Sequence, residues 1–132
     1  MGTWGVGSFE NDQALDLLCD LEDSDDLSLL EELLDVSTLE DGVDESVGPD
    51  IVGAAEIVAA LLGRPSDTLP EEASAWVKAH KNLDASSLVE SCRIGLDAVL
   101  GDDSGLKALW EETDDFDEWK SDVESLKKRI SG

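Results

Sequence analysis

His80 is the only histidine in this 132-residue chain, so an unperturbed neutral-pH base would have to be found there. The sequence pattern puts it in the last turn of a helix, four residues after Trp76, a place that favours a structural role over a catalytic one. Carboxylates are plentiful. Glu10, Asp12 and Asp16 form the most suggestive set, because they flank a Gly/Trp segment. A helix would set Asp12 and Asp16 one turn apart, where two oxygens could hold a divalent cation. No DxDxDG loop accompanies them, and the chain has no GxSxG, Walker or HExxH motif. Gly2, Gly5 and Gly7 follow a GxxGxG pattern, but no strand precedes them. Tight turns around Trp4 explain these glycines better than a phosphate cradle does. No cofactor is implied.

Cys19 and Cys92 are the only cysteines. Both fall on or beside the apolar face of a helical pattern, with no CxxC or Cys/His spacing, and are expected as two buried free thiols. The four tryptophans stand in a chain with no tyrosine and two phenylalanines. Core packing accounts for Trp119 and Trp76. Trp4 and Trp110 have more acidic surroundings, and an aromatic ring beside carboxylates suits a cationic or basic partner.

The net charge of −24 narrows the partners. Residues 1–63 carry 17 acidic side chains and no lysine or arginine, whereas residues 64–132 carry 16 acids and 9 bases. Such a surface repels nucleic-acid backbones, whose binding depends on cations that displace counterions. It disfavours anionic membranes for the same reason. Basic proteins, cationic ligands and metal ions remain, and so does a plain solubilising role. The apolar run around Ile51–Leu62 is too short to span a membrane and contains Glu56. With neither a basic region nor an apolar region of signal-peptide type at the start, the expected location is cytoplasmic.

The elements that would position these groups read as helix after helix. Asn11 suits a cap for the first, with Leu17, Leu18 and Leu21 apolar and Asp12, Asp16 and Asp20 forming one exposed ridge. The Asp23–Asp26 run serves as a cap for a second helix, whose inward stripe is Leu29, Leu30, Leu33 and Leu34. Residues 37–49 read as an acidic loop. The segment from about 51 to 62 is apolar nearly all round, which marks the central helix of the core. Gly63 ends it and Pro65 blocks continuation. Thr68 to Glu71 form a capping box for a fourth helix, which carries Ala73, Trp76, Val77 and His80 on one face. Asp84 or Ser86 opens a fifth, through Leu88, Cys92, Leu96, Val99 and Leu100. Ser104 caps a short helix holding Leu106, Leu109 and Trp110. The last helix has Phe116, Trp119, Val123, Leu126 and Ile130 in a 3-4-3-4 spacing. Lys127, Lys128 and Arg129 in its final turn favour the negative end of the helix dipole.

The opening GTWGVGSFENDQALD resembles the start of a bacterial family known as domain of unknown function 4259. The apolar run ending in LLGRP, the PEEASAWVKAH stretch and the late LWEE are similar to the rest of that family, so the resemblance covers most of the chain. It implies a small bacterial domain and no particular site.

These readings converge on a single all-α domain, residues 1–132, of six to seven short helices around the central apolar one. Trp4 and Phe9 are expected to anchor the chain start against the helices. The expected function is non-enzymatic: a module that binds a protein partner through an acidic face made by Trp4, Glu10, Asp12, Asp16, Asp20 and Trp110. One concrete form is an immunity-type neutraliser of a basic toxin. The alternative is a metal-dependent or small-molecule enzyme using Glu10, Asp12 and Asp16. The oligomeric state is not legible.

Overall fold

The fold is seen in a computed structural model, which describes residues 12–24, 27–34, 48–65, 69, 71–80, 83–101 and 104–131. Seven α-helices and one 3₁₀ turn fall within them: α1 (Asp12–Glu22), α2 (Ser28–Leu33), α3 (Gly48–Leu61), α4 (Glu71–Ala79), the 3₁₀ turn Ala85–Leu88, α5 (Val89–Leu100), α6 (Gly105–Glu111) and α7 (Phe116–Ser131). No strand occurs among the described residues. The protein is an all-α single domain, as the periodicity indicates.

α3 is the axle. It touches all six other α-helices and the 3₁₀ turn, and every residue from Ile51 to Ala60 is buried. Its four inner alanines, Ala54, Ala55, Ala59 and Ala60, let neighbouring helices approach closely, while Ile51, Ile57 and Val58 fill the gaps. Each fully buried aliphatic side chain of this kind contributes about 1.5–3 kcal/mol of transfer free energy. The helix takes in Gly48 and Pro49, which the sequence reading assigns to the acidic loop. A proline in the first turn has no backbone donor to lose. The remainder of that loop, residues 37–47, lies outside the described residues. At the other end Gly63 adopts φ +89°. Its N–H donates to Ala60 O at 3.0 Å and that of Arg64 to Ala59 O at 2.9 Å. This is the double closure that a left-handed glycine allows.

α5 and α7 pack on each other and on α3. Cys92, Leu96 and Val99 of α5 meet Trp119, Val123, Leu126 and Ile130 of α7 in one core. Two caps stand where the sequence puts them. Ser104 Oγ accepts from Lys107 N at 3.0 Å, and the Asp84 carboxylate accepts from Ser86 N at 3.0 Å. Of the two openers considered, Asp84 is the one used. It starts the 3₁₀ turn from which α5 continues.

Three local expectations are corrected. Leu27, rather than a residue of the Asp23–Asp26 run, occupies the α2 N-cap position, and its side chain makes no capping hydrogen bond. Cys19 is exposed, and only Cys92 is buried. With Leu17, Leu18 and Leu21 inward, one further step of about 100° from Leu18 carries Cys19 past the apolar edge to solvent. In α2, only Leu30 and Leu34 are fully buried, with Leu29 and Leu33 at the margin. The capping residues Asn11, Thr68 and Pro70, and the anchors Trp4 and Phe9, lie outside the described residues.

Candidate functional site

α1 packs against α4, and a cleft of about 480 Å³ opens beside that contact. Its origin is legible in the helix spacing of α4. Two rows run along one face at four-residue intervals, Glu72–Trp76–His80 and Glu71–Ala75–Ala79, and all six side chains line the cleft, joined by Glu22 from the end of α1. The small alanines beside the large rings leave the space. Trp76 is held firmly: its Nε1–H donates to Ser24 O, just past α1, at 2.9 Å. The indole is buried and stacks on His80 with ring centroids 4.3 Å apart and planes 22° from parallel.

The imidazole is fixed as well. His80 Nδ1 lies 2.8 Å from Trp76 O. A carbonyl oxygen only accepts, so Nδ1 carries the proton and Nε2 is the nitrogen left for another partner. Among the described residues Nε2 makes no hydrogen bond. The three glutamates are exposed. They have no ion-pair partner among the described residues. Glu71 and Glu72 sit in the first turn of α4, where the helix dipole favours them. Glu22 ends α1, which has no basic residue in its last turn, so its charge stands against the dipole. No group of three or more His, Cys, Asp or Glu side chains converges closely enough to hold a metal among the described residues.

The expected site residues are divided by the structure. Asp16 and Asp20 are exposed on α1 together with Glu22, and Asp23 is exposed in the turn that follows. Asp12 is the first residue of α1, but its side chain, like Trp4 and Glu10, lies outside the described part. Trp110 belongs to a different region. It is half-buried on α6, a helix packed on α3, α5 and α7, and it stacks on Trp119 at 6.2 Å. Of the Glu10, Asp12 and Asp16 set, only the Asp16 side chain is described.

Residues 2–122 match the model of the domain of unknown function DUF4259. The chain belongs to that family. No curated protein and no solved structure matches it. The α1–α4 cleft, the ridge and helices α1 to α6 fall within the DUF4259 match, which ends inside α7.

One charged group in this DUF4259 domain escapes periodicity altogether. Glu56, 2% exposed, sits in the middle of α3. Arg129 of α7 donates to its Oε1 from Nη2 at 2.7 Å. Arg64 and Arg129 also clasp each other's backbone: Arg64 Nη1 donates to Arg129 O at 2.9 Å, and Arg129 Nη1 to Arg64 O at 3.3 Å. Burial pushes the Glu56 carboxyl above its ordinary value more strongly than Arg129 pulls it down, and the negative charge of Asp122 pushes the same way as burial. Glu56 and Arg129 are 73 positions apart, and the only sequence signal was a single acid inside an otherwise apolar helix. The pair is closed in by packing and belongs to the architecture.

Proposed function

We propose that this protein is a non-enzymatic binding module that recognises a basic protein partner through the acidic surface of α1 and α4. The observation that carries this reading is a set of exposed carboxylates on two touching helices, Asp16, Asp20 and Glu22 on α1 with Asp23 just past its end, and Glu71 and Glu72 on α4, none with an ion-pair partner among the described residues. A surface built only for solubility gains by interspersing both signs of charge. Here the whole of residues 1–63 lacks a basic side chain, so α1 itself carries charge of one sign. Such charge speeds encounter with a positively charged partner. An immunity-type neutraliser, whose carboxylates take the place of phosphates against a basic toxin, is one concrete form of this function.

The test is a charge reversal on the outward ridge. Replacing Asp12, Asp16 and Asp20 by lysine changes the local charge by six units and leaves Leu17, Leu18 and Leu21 untouched. The variant is expected to fold, as checked by circular dichroism. With a partner captured from the native host, its association rate is expected to fall about tenfold or more at low salt. For the unmodified protein, the same rate should decline steeply as salt is added. A partner whose binding ignores both the reversal and the salt concentration would sink the reading and leave the ridge as a solubilising coat.

A further inference from the structure

We infer that the α1–α4 cleft is the receptor for an arginine side chain presented by that partner. This rests on the binding-module reading and specifies where its contact is made. The volume is in the range of ligand sites, and the lining combines two features that one chemical group satisfies together. Glu22, Glu71 and Glu72 supply carboxylates at the walls, while the half-buried His80 ring, backed by the buried Trp76 indole, supplies aromatic surface. A guanidinium is planar, stays charged and donates in a fork to carboxylates, and it also stacks on aromatic rings. A lysine ammonium is a compact point charge that uses the carboxylates but gains less from the rings. A metal ion is the wrong size, since the acidic and histidine side chains do not converge into a cage among the described residues. His80 adds directionality. Its ring is held in one orientation by the Nδ1–H bond to Trp76 O, so the stacking face is set in advance.

The alanine row shapes the entry. Ala75 and Ala79 are exposed and small, so the methylene stem of an arginine can lie along α4 while its head reaches the acids. The hydrogen bond from Trp76 Nε1 to Ser24 O holds the ring before any partner arrives, which reduces the ordering cost of binding.

The experiment titrates the full chain with N-acetyl-arginine amide and follows backbone amides and indole N–H signals by NMR. The controls are the neutral isostere N-acetyl-citrulline amide and N-acetyl-lysine amide. The expected result is saturable shifts confined to α4, the end of α1 and the Trp76 indole, absent with citrulline and several-fold weaker with lysine. A Glu71→Gln, Glu72→Gln double variant, which changes only exposed side chains, is expected to weaken arginine binding about tenfold. His80→Ala removes the stacking ring and should weaken it by a smaller factor. Shifts scattered over all acidic surfaces, equal response to lysine and arginine, or no effect of the double variant would each overturn the proposal. Its failure is separable from that of the binding reading. If a basic partner's association still collapses on reversal of Asp12, Asp16 and Asp20 while the α4 signals stay still, the cleft falls and the acidic surface stands. If arginine amide seats in the cleft but the partner ignores that reversal, the opposite holds.

Discussion

Replacing Arg129 by methionine is expected to lower the unfolding free energy by about 3–5 kcal/mol, because it leaves the Glu56 carboxylate buried at the centre of α3 without its partner. Adding Glu56→Leu to the same variant is expected to recover most of the loss. An apolar pair of similar volume avoids the desolvation cost that the ion pair only offsets. Recovery will be incomplete to the extent that the mutual backbone clasp of Arg64 and Arg129 is gone. Urea denaturation of the two variants and the parent decides the matter. A loss below about 1 kcal/mol for the methionine variant would mean that Glu56 finds water or carries a proton at neutral pH.

The pair also gives the fold a pH dependence of definite sign. Burial holds the Glu56 carboxyl above its ordinary value in the folded state. Between the ordinary value and the raised one, the folded chain keeps a proton that the unfolded chain has lost. Stability therefore rises as pH falls through that window, and is lost again as pH rises through the folded value. Relief of surface repulsion acts in the same direction. Comparing the parent with Glu56→Gln isolates the buried part. The glutamine variant should show a shallower rise in urea midpoint between neutral pH and about pH 5. In the Arg129→Met protein the rise should be steeper and start at higher pH, because Arg129's counteracting pull is gone.

The second large effect is expected at Gly48. A β-carbon added there would stand 2.6 Å from Leu106 Cδ2 and 2.8 Å from Leu106 Cβ. Rotating the leucine removes the first conflict but not the second, since its Cβ moves only with the α6 backbone. Gly48→Ala is expected to cost about 1–3 kcal/mol by overpacking, although alanine is the better helix former by about 1 kcal/mol at interior positions. Combining it with Leu106→Ala should give no full rescue, because the β-carbon conflict persists and the leucine's own burial is lost. A thermal midpoint unchanged or raised in Gly48→Ala would show that α6 yields without cost.

What could be read from the residues alone follows from which interactions are local in sequence. α3 announces itself as an unbroken apolar run closed by Gly63, and α7 as a seam from Phe116 to Ile130. The Asp84 and Ser104 caps act on residues two or three positions away. The Glu56–Arg129 pair is of another kind. In the sequence Glu56 is a blemish on an apolar helix and Arg129 a cation near a helix end, and only the packing of α7 on α3 joins them. The same holds for the cleft. Ala75 and Ala79 read as ordinary helix residues until α1 is laid beside them with Glu22 at the rim. Cys19 follows two buried leucines, yet the step of about 100° beyond Leu18 already puts it on the far side of α1 from Leu17 and Leu21.

The opposed environments of the two cysteines give the molecule a built-in chemical reporter. Cys19 lies open on the acidic helix, while Cys92 is enclosed between α5 and its neighbours and burial pushes its thiol up to about 12. A thiol-specific reagent therefore meets one sulfur at once and the second only when the core opens. The first stoichiometric addition marks the exposed side of α1. The slow second addition times the opening of the domain, with no engineered residue in the chain.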